Sequence, residues 1–226
     1  MNYQHNSYGA LSNIPPATKN IILVNVVIFL ATLLREDFMI RQFAMFYPAS
    51  PFFHPWQIVT HMFMHGGFWH IFLNMYTLFI FGLVLERTIG TRKFISFYFI
   101  CGLGAVALHT GVQWLQVTHA LSIGDNATVV DICRTPTVGA SGAIYGILLG
   151  YAMLYPQSRL TLLFPPVTLT AKWFVAIFAG IELFTGIFMT TDGIAHFAHL
   201  GGMLFALILM IFWKRTNRLY DEHRWI

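Results

Sequence analysis

Long apolar stretches, separated by short polar segments, dominate this chain. A membrane helix needs roughly 20 mostly apolar residues, and six stretches approach that length. An all-α, polytopic membrane protein with six transmembrane helices is therefore predicted. The six stretches cover residues 19–34, 68–85, 94–114, 138–155, 173–189 and 194–213.

The segment between the first two stretches has a different character. Pro48, Pro51 and Pro55 interrupt an otherwise uncharged, apolar run, and proline cannot continue a regular helix or donate a backbone hydrogen bond. We expect an irregular segment that lies partly in the membrane interface.

Composition supports a lipid environment. The chain is 57% hydrophobic and 10% charged, whereas soluble domains average about 25% charged residues. The excess of basic residues lies at the edges of the apolar stretches, where it orients helices in a lipid bilayer, so the high isoelectric point requires no nucleic acid partner.

Six spans place both termini on one side, and 10 of the 13 Lys and Arg residues fall on that side. The positive-inside rule puts it in the cytoplasm. We expect a multi-pass protein of a bacterial cytoplasmic (inner) membrane. Its parts would be a cytoplasmic tail (1–18), one six-helix domain (19–213) and a basic cytoplasmic tail (214–226).

Hydrogen-bonding side chains occur where lipid disfavours them, and such residues usually face a helix bundle's interior and mark function. Three clusters stand out. They are His61, His65, His70 and Asn74 before and within the second stretch, Ser141 and Tyr145 in the fourth, and His196 and His199 in the sixth.

Small residues predict how the fourth and sixth helices meet. Stripes of small residues every four positions let membrane helices approach closely, and such a packing would bring Ser141 and His199 within hydrogen-bond reach. A neutral imidazole that accepts a serine proton makes that serine a nucleophile. The stripes are Gly142, Gly146 and Gly150 on one helix and Ala198, Gly202 and Ala206 on the other.

Plainer interpretations exist for each residue. Ser141 and Tyr145 are explained equally by packing, and His61 and His65 by bonds to loop backbone. A metal enzyme would use the closely spaced pairs His61/His65 and His196/His199, but no HExxH motif accompanies them. We predict no metal and no cofactor. A transporter is disfavoured because no inverted repeat is evident.

Four segments resemble the rhomboid intramembrane proteases. GASGAIYG (139–146) is similar to the family's G-x-S-G motif, and AHLGG (198–202) to its A-H-x-x-G motif. HMFMHGGFWHIFLN (61–74) and LERTIGTRKF (85–94) resemble the second helix and the turn after it. Two positions depart from the family: Gln57 replaces an arginine after Trp56, and Ala206 replaces a common glycine.

The resemblance implies a six-helix rhomboid-like bundle that cleaves transmembrane segments of single-span protein substrates. It assigns Ser141 as nucleophile, His199 as base, and His70 and Asn74 to the oxyanion. No acidic residue stands ready as a third member, because Glu182 lies within the fifth helix. A serine–histidine dyad is therefore predicted, in an active site that opens to the outside face. A catalytically dead rhomboid-like protein that escorts membrane helices is the alternative. The supporting residues would be Tyr145, Gly139, Gly142, Gly202, His65 and His196.

Overall fold

The computed structural model describes residues 14–162, 166–188 and 195–219, and helices account for most of them. Five helical segments are long and apolar enough to cross a bilayer, which supports the predicted polytopic all-α fold. These segments are α1 (Pro16–Leu34), α4–α5 (Phe68–Ile89), α6 (Thr91–Ser122), α9 (Ala171–Phe188) and α10 (His196–Arg215). Within the second segment, α4 (Phe68–Thr77) and α5 (Leu83–Ile89) are joined by a π-helical turn (Leu78–Gly82).

The sixth apolar helix, α8, is shorter than the others. It covers Ser141–Leu154, 14 residues, which is about 21 Å at 1.5 Å per residue. A hydrocarbon core is roughly 30 Å thick. The helix is therefore too short to cross the hydrocarbon core. If its C-terminal end reaches one membrane surface, its first residue, Ser141, lies below the other surface.

Several predicted boundaries differ from the observed ones. The third stretch was expected to end near Trp114, but α6 continues to Ser122 and runs for 32 residues. The end was missed because the last turns of α6 contain polar residues, whereas a membrane span is predicted from a continuous apolar stretch. The predicted start of the sixth helix at Ile194 and most of both predicted tails lie outside the described residues.

Three short elements that follow α6 in the described residues were not predicted. An amphipathic helix, α7 (Asn126–Arg134), follows α6, and the Asp125 side chain caps it by accepting the Thr128 backbone N–H at 3.1 Å. An antiparallel hairpin pairs β1 (Arg159–Thr161) with β2 (Thr168–Thr170) between α8 and α9. Such three-residue strands are too short for a periodic signal.

The segment between α1 and α4 is irregular, as its prolines predict. It contains α2 (Glu36–Phe43), α3 (Gln57–Thr60) and a 3₁₀ turn (His61–Phe63). Gln57 is fully buried and holds the segment together. Its Nε2 donates to the carbonyls of Arg41 and Phe52, both at 3.0 Å, and its Oε1 accepts the His54 N–H at 3.1 Å. The amide of Gln57 thus makes these bonds at the position where the family that the sequence resembles has an arginine.

A buried carboxylate fixes α1 against the turn between α5 and α6. Glu86 accepts the backbone N–H groups of Ala17 and Thr18 at 2.9 and 2.7 Å, and the Thr91 hydroxyl at 2.8 Å. Those N–H groups lack acceptors within their own helix, and the positive end of the helix dipole favours a negative charge there.

The predicted contact between small residues of α8 and α10 is confirmed. A Cβ added to Gly202 would lie 1.8 Å from the Gly142 carbonyl oxygen, and one added to Gly146 would lie 3.0 Å from that of Gly202. Gly150 does not belong to this contact, because it faces Phe97 and Leu85 instead. At Gly150 this face of α8 points towards α5 and α6 rather than α10.

Candidate active site

Two loop contacts set the backbone that leads into Ser141. Met45 and Thr137 exchange backbone hydrogen bonds of 2.9 and 2.8 Å, and the Gly139 N–H donates to the His61 carbonyl at 3.0 Å. The irregular segment after α1 is thereby joined to the start of α8. Because Ser141 is in the first turn, its backbone N–H has no acceptor within the helix and is available to an anionic group.

The structure brings Ser141 and His199 together across the α8–α10 contact. His199 Nε2 lies 2.8 Å from Ser141 Oγ, which is the distance that a nucleophile–base pair requires. Tyr145, one turn after the serine, stacks on the imidazole with ring centroids 4.3 Å apart and planes inclined by 8°. This stacking restricts rotation of the ring, and the supporting role that the resemblance implies for Tyr145 stays a prediction.

On the far side of the imidazole lies Glu182, for which the sequence suggested no partner. Its Oε2 is 2.9 Å from His199 Nδ1, without the alignment of a hydrogen bond, and 2.6 Å from His196 Nδ1. The Tyr145 hydroxyl donates a short hydrogen bond to Oε1. The sequence indicated that no acidic residue stands ready as a third member, but Glu182 lies next to His199 in the structure. One signal was present: Glu182 is an ionisable residue inside an apolar helix.

His70 also lies at this site. A Cβ added to Gly139 would be 3.0 Å from His70 Nε2 and 3.4 Å from Ser141 Oγ, so both side chains border the same glycine. Gly139 has φ of +132°, which disfavours any residue with a side chain. Asn74 lies one turn beyond His70, and its Nδ2 donates to the His70 carbonyl at 2.8 Å. His70 and the nucleophile thus lie beside the same glycine, whereas the described bond of Asn74 is to its own helix.

Two further histidines belong to the loop outside the membrane-spanning helices. His61 Nδ1 donates to the Gln57 carbonyl at 2.9 Å, and burial lowers the pKa of His61 to about 4. Burial, assisted by the neighbouring His70, lowers the pKa of His65 to about 3. The rings of His65 and His70 meet edge to face, with centroids 5.1 Å apart. Both loop histidines are therefore neutral near pH 7. His61 bonds the loop backbone, whereas His65 packs against His70.

A small cavity adjoins the nucleophile. It measures about 20 Å³, which is room for a single water molecule. The ring of His109, on α6, hydrogen-bonds the Thr137 hydroxyl at 3.0 Å at its wall. His109 was not among the predicted site residues, because a lone histidine in an apolar stretch carries no motif. The other polar lining residues are His61 and Ser141.

Glu182, His196 and His199 also have the ligand types and spacing of a metal site, with one atom from each lying within 4.8 Å of the others. A three-ligand set with an open position suits zinc. In the described residues, however, the carboxylate already accepts from Tyr145 and His196. Hydrogen bonding within the cluster and coordination of an ion are therefore alternative uses of the same three side chains.

Comparison with known proteins identifies the fold. The rhomboid domain family matches residues 53–215, nearly three quarters of the chain. The chain belongs to the rhomboid family. The matched range includes the serine segment, the two histidine segments and Glu182.

Three relatives illustrate the similarity. RHOMBOID-like protein 12, mitochondrial, of Arabidopsis thaliana is 32% identical over 71% of this chain and 46% of its own length. Rhomboid protein 1, mitochondrial, of Saccharomyces cerevisiae is 28% identical over 74% and 46%. Rhomboid protease AarA of Providencia stuartii is 28% identical over 58% and 47%. The chain spans about half the length of these relatives.

Proposed function

We propose that this rhomboid protein is an intramembrane serine endopeptidase in which Ser141 is the nucleophile and His199 the general base. The observation that carries the proposal is the 2.8 Å contact between Ser141 Oγ and His199 Nε2 at the first residue of α8. Membership of a family that includes a named protease in Providencia stuartii supports it.

The first chemical step is acylation. Ser141 Oγ attacks a peptide carbonyl carbon while His199 Nε2 takes the hydroxyl proton, and the imidazolium then gives that proton to the leaving amine. The product is an ester between Ser141 and the substrate's acyl half. His199 then draws a proton from a water molecule, whose oxygen attacks the ester. The bond between Ser141 Oγ and the acyl carbon breaks, the imidazolium returns its proton to Oγ, and the carboxylic acid product leaves. The cavity beside Ser141, of about 20 Å³, has room for one such water molecule.

Negative charge on the carbonyl oxygen needs donors in both tetrahedral intermediates. The Ser141 backbone N–H at the start of α8 and the His70 ring supply them in this proposal, with Asn74 as a further donor once its side chain turns. Removing one donor of this kind typically costs about 10²- to 10³-fold in kcat. The first turn of α8 adds its dipole to the same end.

The proposed substrates are membrane proteins with a single span, cleaved within or next to that span. A helical substrate hides its carbonyls in i→i−4 hydrogen bonds, so segments with helix-weakening residues should be preferred. The outward-facing site and the cytoplasmic termini stay predictions from the distribution of Lys and Arg. The relatives give the predicted bacterial cytoplasmic membrane no support, because two of those above are named as mitochondrial.

The proposal is tested with purified full-length protein and a model single-span substrate in proteoliposomes. Ser141→Ala and His199→Ala should each abolish cleavage, and labelling of Ser141 by a fluorophosphonate should require His199. Melting temperatures should stay near that of the unchanged protein. Cleavage that persists in either variant refutes the serine mechanism. If the protein without substitutions neither cleaves the substrate nor reacts with the fluorophosphonate, the helix-escorting alternative is favoured. Loss of activity in EDTA would instead indicate a metal enzyme.

A further inference from the structure

A buried glutamate faces the proposed general base from the side opposite the nucleophile. Glu182 projects from the middle of α9 and is only 6% exposed. Its Oε2 lies 2.9 Å from His199 Nδ1, while the other ring nitrogen of His199 contacts Ser141 Oγ. The carboxylate, imidazole and hydroxyl thus follow one another in the order of a hydrolase triad.

We infer that Glu182 is a positioning residue for His199, so that this chain works with a serine–histidine–glutamate arrangement rather than a dyad. The inference rests on the proposed function, because it concerns how His199 acts as a base. It adds a member that neither the sequence motifs nor the comparisons assign.

The first reason is the position of the imidazole proton. An ionised carboxylate only accepts hydrogen bonds, so it favours the tautomer of His199 with hydrogen on Nδ1. That tautomer leaves the Nε2 lone pair directed at the Ser141 hydroxyl. The opposite tautomer would present N–H to the serine and be unable to take its proton.

The second reason is charge. When His199 takes the Ser141 proton it becomes an imidazolium inside an apolar bundle, and an isolated buried charge is costly. The carboxylate of Glu182 at 2.9 Å offsets that cost at the moment when the charge forms. Before that step, the negative charge is held by two donors, the Tyr145 hydroxyl and His196 Nδ1.

These two donors also set the expected size of the effect. Because Oε2 is shared with His196 at 2.6 Å and the His199 contact lacks hydrogen-bond alignment, Glu182 holds His199 less tightly than a dedicated partner would. Stacking on Tyr145 restricts the ring independently. We therefore expect a loss of about 10- to 100-fold in kcat, well below the roughly 10⁴-fold loss known when a triad aspartate is neutralised.

A purely structural role is the competing explanation, since Glu182 also connects α9 to α8 and α10 through Tyr145 and His196. Glu86 provides the matched control: it is the other buried glutamate of the described residues, and it caps α1 far along the chain from the serine and histidine motifs. Glu86→Gln should lower the melting temperature and leave kcat of the folded protein unchanged. Glu182→Gln should lower kcat and leave the melting temperature nearly unchanged.

The experiment uses the full chain in proteoliposomes with the model single-span substrate. Glu182→Gln keeps the shape and removes the charge, and it should lower kcat and the fluorophosphonate labelling rate by the same factor, with KM within about twofold. Glu182→Asp restores the charge at a slightly greater distance and should recover part of kcat. It also provides the measurement if the glutamine variant does not fold.

Several outcomes overturn the inference. The first two are an unchanged kcat in both variants and an effect on KM alone. The third is a lower kcat that is explained by a lower melting temperature. The fourth is loss of activity in EDTA, which would mean that the cluster holds a metal. Ser141→Ala, measured alongside, separates the two levels. If that variant still cleaves, the proposed function fails; if it is inactive while Glu182→Gln has full activity, only the role of Glu182 fails.

Discussion

The closest backbone approach near the site is at Gly202, which makes Gly202→Val a sharp test of the packing. A Cβ at this position would lie 1.8 Å from the Gly142 carbonyl oxygen and 2.6 Å from its carbon. An ordinary carbon–oxygen contact is about 3.3 Å or longer, so α8 and α10 must separate by roughly 1.5 Å. The added Cβ is fixed to the α10 backbone and collides with backbone atoms of Gly142, so no side-chain rotation relieves the clash.

The consequences follow from the chain positions. Gly142 adjoins Ser141, so the separation acts directly on the 2.8 Å contact between Ser141 and His199. Overpacking commonly costs about 1–3 kcal/mol, and we expect the upper end of that range here. A misplacement of about 1 Å at a reacting group can cost about 100-fold in rate. Melting temperature and cleavage should therefore fall together.

Gly180→Val is the matched control for this change. Gly180 is also helical, in α9, but a Cβ added there meets nothing within 4 Å. The substitution makes the same change in helix propensity without the clash, so cleavage should persist. Thermal unfolding in detergent and turnover of the model substrate measure both variants. If Gly202→Val kept the melting temperature and cleavage of the control, the inferred contact between α8 and α10 would be wrong.

The remaining predictions concern the oxyanion donors and pH. His70→Ala should lower kcat by about 100-fold, and Asn74→Ala by less, because other donors remain; an effect confined to KM would contradict the role. The folded-state pKa of His61, about 4, lies below the ordinary 6.5, so the unfolded chain binds more protons between these values. Stability should fall on acidification from pH 7 to 5, by about 2 kcal/mol for His61 alone. His61→Gln should flatten that dependence in melting curves, and equal slopes would contradict it.

The sequence alone was sufficient to predict the bundle, because the bilayer dictates both the length and the composition of a spanning helix. The same solvent makes a serine, a histidine pair and a His/Asn pair conspicuous in apolar helices. The small-residue stripes carried enough geometry to predict that Ser141 and His199 meet, since Gly142 and Gly202 have no side chain to hold two helices apart.

Only the tertiary structure decided the surroundings of that pair. Glu182 looked like an isolated acid in the fifth helix, and its pairing with His199 depends on the rotation of α9 about its axis, which no local pattern encodes. Gly150 likewise carries the small-residue spacing of its stripe but faces Phe97 and Leu85. Gln57 could be recognised as a departure from the family, yet the bonds of its amide became visible only with the loop folded around it. Contacts between residues far apart in sequence arise from how whole helices and loops pack against one another, and a motif specifies only its own residues.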